Sequence, residues 1–303
     1  TSRLPNLSVA LGTELRDVHR DTPKTVGAVS LHGPDGTLSV ETSALVDTSG
    51  DAEAATAAGA ETEISSPERL QRPAFIAGLG GVDPEAISEN GRLRIAGSIS
   101  SAVSAGRLPE EAMGTAFRRG VDPGDVWMTI DLRAPGFDPG MPSARSELHQ
   151  EALRLSKLLL SFFREEVPGF SGVTVTELPE CLGIRESRRI RGLYRMTESD
   201  VLMGRRFENE AALSAWPVEL RETNGGPRFR FPEENRPCGI PEESLRSRDL
   251  SNLFMAGRCL SATHEAQAAL RVIGTCLATG EAAGRAAAHS SLSKGCAVSA
   301  SRP

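Results

Sequence analysis

Residues 252–284 read NLFMAGRCLSATHEAQAALRVIGTCLATGEAAG. The apolar run Leu253-Phe254-Met255-Ala256 has the length of a buried strand and ends on Gly257, which predicts a strand that gives way to a tight turn. A polar loop carrying Arg258, Ser261, Thr263 and His264 follows. From Gly274 to Ala288 the residues are mostly small, which predicts a helix able to pack closely on a sheet or on a planar ligand. The first turn of that helix, at Gly274-Thr275, offers free amides and the positive end of a dipole, which together stabilise negative charge on a ligand atom.

An earlier stretch has the same strand, turn and helix order. The short apolar strand Ala44-Leu45-Val46-Asp47 stops at Thr48-Ser49-Gly50-Asp51, and the alanine-rich Ala52 to Ala58 reads as a helix. Glycine in that turn lets backbone approach a bound ligand, although a plain strand-to-helix turn fits the same residues. Upstream, Val9 to Val18, Thr25 to His32 and Leu38 to Val46 read as a β-meander with turn chemistry at Gly33-Pro34-Asp35-Gly36. Between the two stretches, Ser65 to Pro142 has a weak period and reads as irregular excursions around a few strands, Val126 to Leu132 among them. Ser143 to Val167 is the clearest helix, with Leu148, Ala152, Leu155, Leu159 and Phe162 on one face and Pro168-Gly169 ending it. Val173 to Thr176 is β-rich, and the serine-rich tail from Ser290 to Pro303 reads as disordered.

A third stretch, Gly183-Ile184-Arg185-Glu186-Ser187-Arg188-Arg189-Ile190-Arg191-Gly192-Leu193-Tyr194, holds four arginines in seven positions. Two readings stand. Forked guanidinium hydrogen bonds can hold an anionic substrate group, or the arginines brace the structure with Glu186 as a partner.

Composition narrows the classes. With 34 Lys and Arg against 40 Asp and Glu, the 303 residues carry a net charge of −6, which disfavours nucleic acid as a partner. No apolar run approaches the roughly 18 residues of a membrane span, so a soluble chain is expected. Five scattered cysteines, Cys181, Cys238, Cys259, Cys276 and Cys296, form no C-x-x-C pair, which argues against a disulfide framework and a zinc knuckle and for a reducing, cytoplasmic setting. Cys259, His264 and Cys276 fit no usual metal spacing, so no metal is expected. The chain opens at Thr1 with neither the basic nor the apolar region of a signal peptide, and it reads as a fragment or processed chain.

Taken together, Asp47-Thr48-Ser49-Gly50-Asp51, the 183–192 stretch and Ala256-Gly257-Arg258-Cys259-Leu260-Ser261-Ala262-Thr263 resemble the FAD-dependent oxidoreductases of the fumarate-reductase-like flavoprotein superfamily. Their motifs have the wording D-A-T-G-D, G-x-R-E-[ST]-R-R-I-x-G and A-G-R-C-x-S-x-[HT]. The resemblance runs from about Leu11 to Ala288, and the first turn departs from the pattern at Ser49. It implies an α/β chain with α+β character, the C-terminal portion of a two-domain FAD-binding Rossmann-type flavoprotein with a β-meander and a substrate domain. Residues 1–60 would be the meander and last-strand turn of the FAD domain, 61–235 the substrate domain, 236–289 the return to the FAD domain, and 290–303 the tail. The family opens with G-x-G-x-x-G on a strand-to-helix turn, and that pattern occurs nowhere in this sequence.

The resemblance also implies roles. FAD would lie against Thr48, Gly50, Asp51, Gly257, Arg258 and Cys259, and Gly274, Thr275 and Cys276 would bring backbone amides to the flavin ring. Arg271 would face substrate or flavin charge, and His264 and Tyr194 are the acid–base candidates for the proton that accompanies hydride transfer. Arg185 and Arg188 would hold the substrate. The expected activity is hydride transfer between a small organic substrate and flavin. The alternative is a non-catalytic remnant or assembly subunit paired with a separate nucleotide-binding segment or chain.

Overall fold

The computed structural model describes residues 4–223 and 226–293, and among these the chain is a mixed α/β structure with six α-helices and several small sheets. It separates into two compact units, one formed by residues 1–64, 187–219 and 229–303 and the other by 65–186 and 220–228.

In the first unit, β1 (Glu14–Thr22), β2 (Thr25–Gly33) and β3 (Gly36–Glu41) form the expected antiparallel meander. Val18, Val26 and Val29 lie in the core, and β3 is exposed along its whole length. The ladder begins at Glu14 rather than Val9, and Val9 and Leu11 are exposed. The third expected run, Leu38 to Val46, is broken in two. Thr42 turns the chain, its hydroxyl donating to the Ala44 carbonyl at 2.5 Å, and the run resumes as β4 (Leu45–Asp47). Helix α1 (Glu53–Ala57) and β5 (Thr62–Glu63) follow.

The second unit contains β6 (Ala74–Gly80), α2 (Glu89–Ser104), β7 (Thr115–Arg119), β8 (Val126–Asp131), α3 (Pro142–Glu166) and β9 (Thr174–Glu177). Its four-stranded antiparallel sheet has the order β7-β8-β6-β9. Helix α3 is the helix expected from the apolar period, and it buries Ala152, Leu155, Leu159, Phe162 and Phe163. Phe163 meets Phe117 and Phe170 with ring centroids 5.3 and 5.4 Å apart, favourable tilted aromatic geometries.

Helix α2 corrects the reading of Ser65 to Pro142 as irregular. Gly91, Gly97 and four serines, Ser98, Ser100, Ser101 and Ser104, blur its period, but Ile95, Ile99 and Ala102 are buried at helical steps and Ser88 caps its start by accepting from the Gly91 amide. Gly91 is required sterically, since a Cβ there would lie 2.2 Å from the Ala86 carbonyl oxygen.

The chain then forms β10 (Arg189–Ile190), which pairs with β5, and helix α4 (Glu198–Leu202). Strands β11 (Glu210–Ser214), β12 (Val218–Leu220), β13 (Arg228–Arg230) and β14 (Cys238–Pro241) follow, β11 pairing with β14 and β12 with β13. Strand β15 (Leu253–Met255) runs parallel to β4, with Leu253, Phe254 and Met255 opposite Leu45, Val46 and Asp47. Pairing of β10 with β5 and of β11 with β14 places 187–219 in the first unit.

Asn252 fixes the entry to β15. Its side-chain amide accepts from the Val26 amide at 2.9 Å and donates to the Val26 and Ser43 carbonyls. Helix α5 (His264–Leu270) and helix α6 (Ile273–Ser293) close the unit. Ala283, Ala286 and Ala287 of α6 join Phe254 and Ala256 in one core cluster, a close approach that small side chains permit. Ser290 to Ser293 belong to α6, and the rest of the tail expected to be disordered, with Cys296, lies outside the described residues.

Candidate functional site

The parallel strands β4 and β15 end side by side, and each hands over to a turn. Asp47 builds the first. Its buried carboxylate accepts from the Ser49 amide at 3.0 Å and hydroxyl at 2.7 Å through Oδ1, and from the Ala55 amide at 2.9 Å through Oδ2. One acid thus fixes the turn and caps α1. Gly50 has φ +77°, and Ala52 is held in the left-handed region at φ 55°, a conformation costing about 1–2 kcal/mol for a residue with a Cβ. A Cβ on Gly50 would lie 2.7 Å from Nη2 of Arg258.

That guanidinium links the two turns. Arg258 Nη2 sits 2.9 Å from Oδ1 of buried Asp51, and the Ser187 hydroxyl donates to the same oxygen at 2.5 Å. Arg188 Nε donates to the Asp51 backbone carbonyl at 2.9 Å. In the second turn Gly257 has φ +73°, and its amide donates to the Thr279 hydroxyl of α6 at 3.2 Å. A Cβ on Gly257 would be 3.5 Å from Cys276 Sγ, an ordinary contact.

Cys276 joins the group to Arg271. Its thiol donates to the Arg271 carbonyl at 3.2 Å, and burial pushes that thiol up while the charges of Arg258 and Arg271 pull it the other way. Cys259 is fully buried beneath the turns, and burial, helped by the charge of Asp47, pushes it up to about 12.

The start of α6 is open. The amides of Ile273, Gly274 and Thr275 have no acceptor among the described residues, whereas that of Cys276 donates to the Val272 carbonyl at 2.9 Å. The amide expected from Cys276 is therefore spent inside the helix, one turn in, where i to i−4 bonding begins. Nothing lies within 4 Å of a Cβ built on Gly274, and Ile273 and Leu277 beside it are 81% and 70% exposed. Thr275 turns inward to Ser214, with 3.2 Å between hydroxyl oxygens.

Gly50, Asp51, Gly257, Arg258, Cys259, Arg271 and Cys276 fall in one neighbourhood, with Arg188 bound to its edge. Thr48 is exposed at the first turn. His264 is buried as the first residue of α5, just after the capping residue Thr263. The Tyr194 hydroxyl donates to Asp200 at 2.9 Å, and burial followed by that acid raises its pKa. Arg185 belongs to the second unit, where it pairs with Asp131 at 2.8 Å. Arg185 and Arg188 thus each already hold an acceptor, Asp131 for the one and the Asp51 carbonyl for the other. Sequence reasoning missed Ser187 and Thr279 and gave Asp47 no role. A hydroxyl within the Arg-rich stretch and one two turns into a helix carry no signal of their own, but an acid ending a strand before Thr-Ser-Gly-Asp is a recognisable turn-former.

The model of a family described as FAD dependent oxidoreductase matches residues 3–300. The chain belongs to this family. The redox cofactor of this flavoprotein is FAD. Similar solved structures include a geranylgeranyl bacteriochlorophyll reductase-like protein from Thermoplasma acidophilum, 10% identical over 93% of this chain and 48% of that one, with a TM-score of 0.39. Another is a triple mutant of the flavin-dependent brominase Bmp2, 11% identical over 95% of this chain and 53% of that one, with a TM-score of 0.38. The chain thus spans about half the length of these structures. No curated protein matches.

The residues present fit a flat, hydrogen-bonding group. Three free amides, a glycine with open space above it and two solvent-exposed apolar side chains coincide at the start of α6. Among the described residues no cluster of His, Cys, Asp and Glu is placed to hold a metal ion, and no helix is long and apolar enough to cross a membrane.

Proposed function

We propose that this chain carries the ring-side and substrate-side parts of an oxidoreductase that passes a hydride between a small organic substrate and FAD. The observation that carries the reading is the coincidence of the Asp51–Arg258 pair, the left-handed Gly50 and Gly257, and the open first turn of α6. FAD, when bound, supplies a two-electron acceptor for hydride.

The chain's own groups do the rest. The amides of Ile273, Gly274 and Thr275 donate to acceptor atoms of the ring, and the positive end of α6 favours negative charge there. Ile273 and Leu277 shed water against its apolar part. Asp51 and Ser187 hold the Arg258 side chain in place, and Arg258 keeps both turns in register. Arg271 faces charge on substrate or ring, and His264 exchanges the proton that accompanies the hydride. Tyr194 stays protonated against Asp200 and is the weaker candidate for that task.

The ADP half of the cofactor is held by a dinucleotide-binding segment outside these residues. Parallel pairing spends the backbone groups of Leu45 and Asp47 on β15, and those of Val46 point to the opposite edge of β4, where no strand pairs among the described residues. A parallel strand from such a segment fits that edge.

The test is visible absorbance after incubation with FAD, on this chain alone and together with a dinucleotide-binding segment. Retained yellow flavin in the complemented form, bleached anaerobically by a reducing substrate, is expected. Arg271→Ala should slow bleaching far more than it lowers retention, and His264→Ala should slow turnover. Flavin retained by neither form overturns the reading. Retention without bleaching by any substrate would favour a non-catalytic assembly subunit, which the lack of G-x-G-x-x-G also fits.

A further inference from the structure

Most arginines of the Arg-rich stretch are spent on carboxylates. Arg189, 2% exposed, has Glu63 at 3.7 Å and donates through Nε to the Ala262 carbonyl at 3.0 Å. Arg191 reaches the same Glu63 at 2.8 Å and Glu61 at 3.6 Å, and Arg195 reaches Glu63 at 2.8 Å. Arg185 belongs to the other unit, where it shares Asp131 with Arg221 and donates through Nη1 to the Arg72 carbonyl, pinning the 67–73 loop. Arg188 differs from all of these, since among the described residues no carboxylate pairs with it.

Arg188 is nevertheless held in place. Its Nε donates to the Asp51 carbonyl at 2.9 Å, and among the described residues that is the one hydrogen bond its guanidinium makes, which leaves the N–H groups of Nη1 and Nη2 to donate elsewhere. The side chain is half-buried. Its neighbour Ser187, 1% exposed, places its hydroxyl 3.0 Å from the Gly50 carbonyl and 2.5 Å from Asp51 Oδ1, so the backbone that carries Arg188 is fixed on the same turn that receives its Nε. Much of the rotamer entropy that a loose surface arginine would lose on binding is therefore already lost.

The turn also narrows what such a fork can take. The amides of Ser49 and Ala55 go to the Asp47 carboxylate, and those of Asp51 and Glu53 go to the Ser49 hydroxyl. The turn thus lacks the unbroken row of free amides with which a backbone cradles phosphate. A carboxylate needs only the two coplanar donors that Nη1 and Nη2 present. Asp51 is no rival for them, because Arg258 and Ser187 occupy its carboxylate and Arg188 meets only its carbonyl.

We infer that Arg188 anchors the carboxylate of a small organic acid at the edge of the paired turns, Nη1 and Nη2 each donating to one oxygen while Nε keeps its bond to Asp51. The inference names the substrate class for the reaction proposed above and rests on that reading only for what becomes of the bound acid.

The test is calorimetric titration of the full chain with benzoate, with its neutral isostere benzamide and with inorganic phosphate. Benzoate should bind more tightly than phosphate, and benzamide should not bind. The Nε–H proton resonance of Arg188, identified by its loss in Arg188→Lys, should shift saturably with benzoate. Arg188→Gln and Arg188→Lys should each weaken benzoate about tenfold or more, the lysine because it keeps the charge and loses the fork, while Arg94→Gln in α2 leaves it unchanged. The lysine variant decides alone if Arg188→Gln does not fold. No binding of benzoate, equal binding of benzamide, tighter binding of phosphate, or full benzoate affinity in either folded Arg188 variant overturns the inference. Failure of the flavin reading shows separately, as absent visible absorbance after incubation with FAD, and leaves this result untouched.

Discussion

The two units build rigid walls with opposite materials. In the first unit the wall is main chain. Alanines and glycines bring β4, β15 and α6 together, and the turns after the strands are set by Asp47, Asp51 and positive-φ residues. In the second unit the wall is side chain, a loop pinned by Glu186, Arg185, Asp131 and Arg221 above a phenylalanine-rich core. The difference predicts where each unit is vulnerable. A main-chain wall fails through backbone conformation, whereas a side-chain wall fails through loss of volume or of a buried partner.

The largest effect is expected in the aromatic core. Phe163→Ala removes a fully buried ring and should cost about 4 kcal/mol. Denaturant unfolding followed by hydrogen exchange should place the loss in 65–186, and uniform weakening of α6 as well would break the contrast between units. Asp131→Ala comes next. It leaves two buried guanidiniums without their shared acceptor and should cost about 3 kcal/mol, with exchange rising first in the 67–73 loop. A change under about 0.5 kcal/mol would show that the lattice does not hold that loop.

Gly257→Ala should cost about 1–2 kcal/mol, because the space is there and the backbone conformation is not. Thermal melts of this variant beside Gly97→Ala, a glycine with open space and ordinary backbone in α2, separate strain from crowding, and equal melts would refute the strain.

The smallest expected effect is at α4. Thr197→Ala removes half of a capping box and should cost about 1 kcal/mol. Burial works to raise the Asp200 pKa, but the hydroxyl and amide of Thr197, then Tyr194 and Arg205, outweigh it and hold it below its ordinary value. A lowered carboxylate contributes stability that is complete above its unfolded value and lost as pH falls through the native one, so this contribution fades below about pH 4. In Thr197→Ala this contribution should be smaller and its loss complete at a higher pH, and an unchanged acid limb would remove Thr197 from that role.

How much of this was legible in the sequence follows the same division. Main-chain walls leave marks, because Gly50 and Gly257 supply the positive φ their turns need and the alanines of α6 let it pack closely. The meander, β4, β15, α3 and α6 were accordingly readable. Side-chain walls leave few marks. The lattice joins residues more than 100 positions apart in sequence, as when Gln71 meets Glu186, and no local spacing reports such a pairing. Arg185 looked like a substrate ligand because its charge was visible and its partner Asp131 was not. Helix α2 was hidden by its glycines and serines, of which Gly91 is pressed against the Ala86 carbonyl. The departure at Ser49 proved useful, since its hydroxyl donates to Asp47 and receives the Glu53 amide at 3.1 Å.

The depth of Cys259 bears on endurance under oxidative conditions. Thiolate is the form that peroxide attacks, and with the thiol pushed up to about 12 only about one molecule in a hundred thousand carries it at neutral pH. Peroxide therefore meets, at Cys259, a sulfur shielded both sterically and by protonation. Cys238, fully buried and likewise pushed up to about 12, shares the protection, whereas Cys181 is exposed.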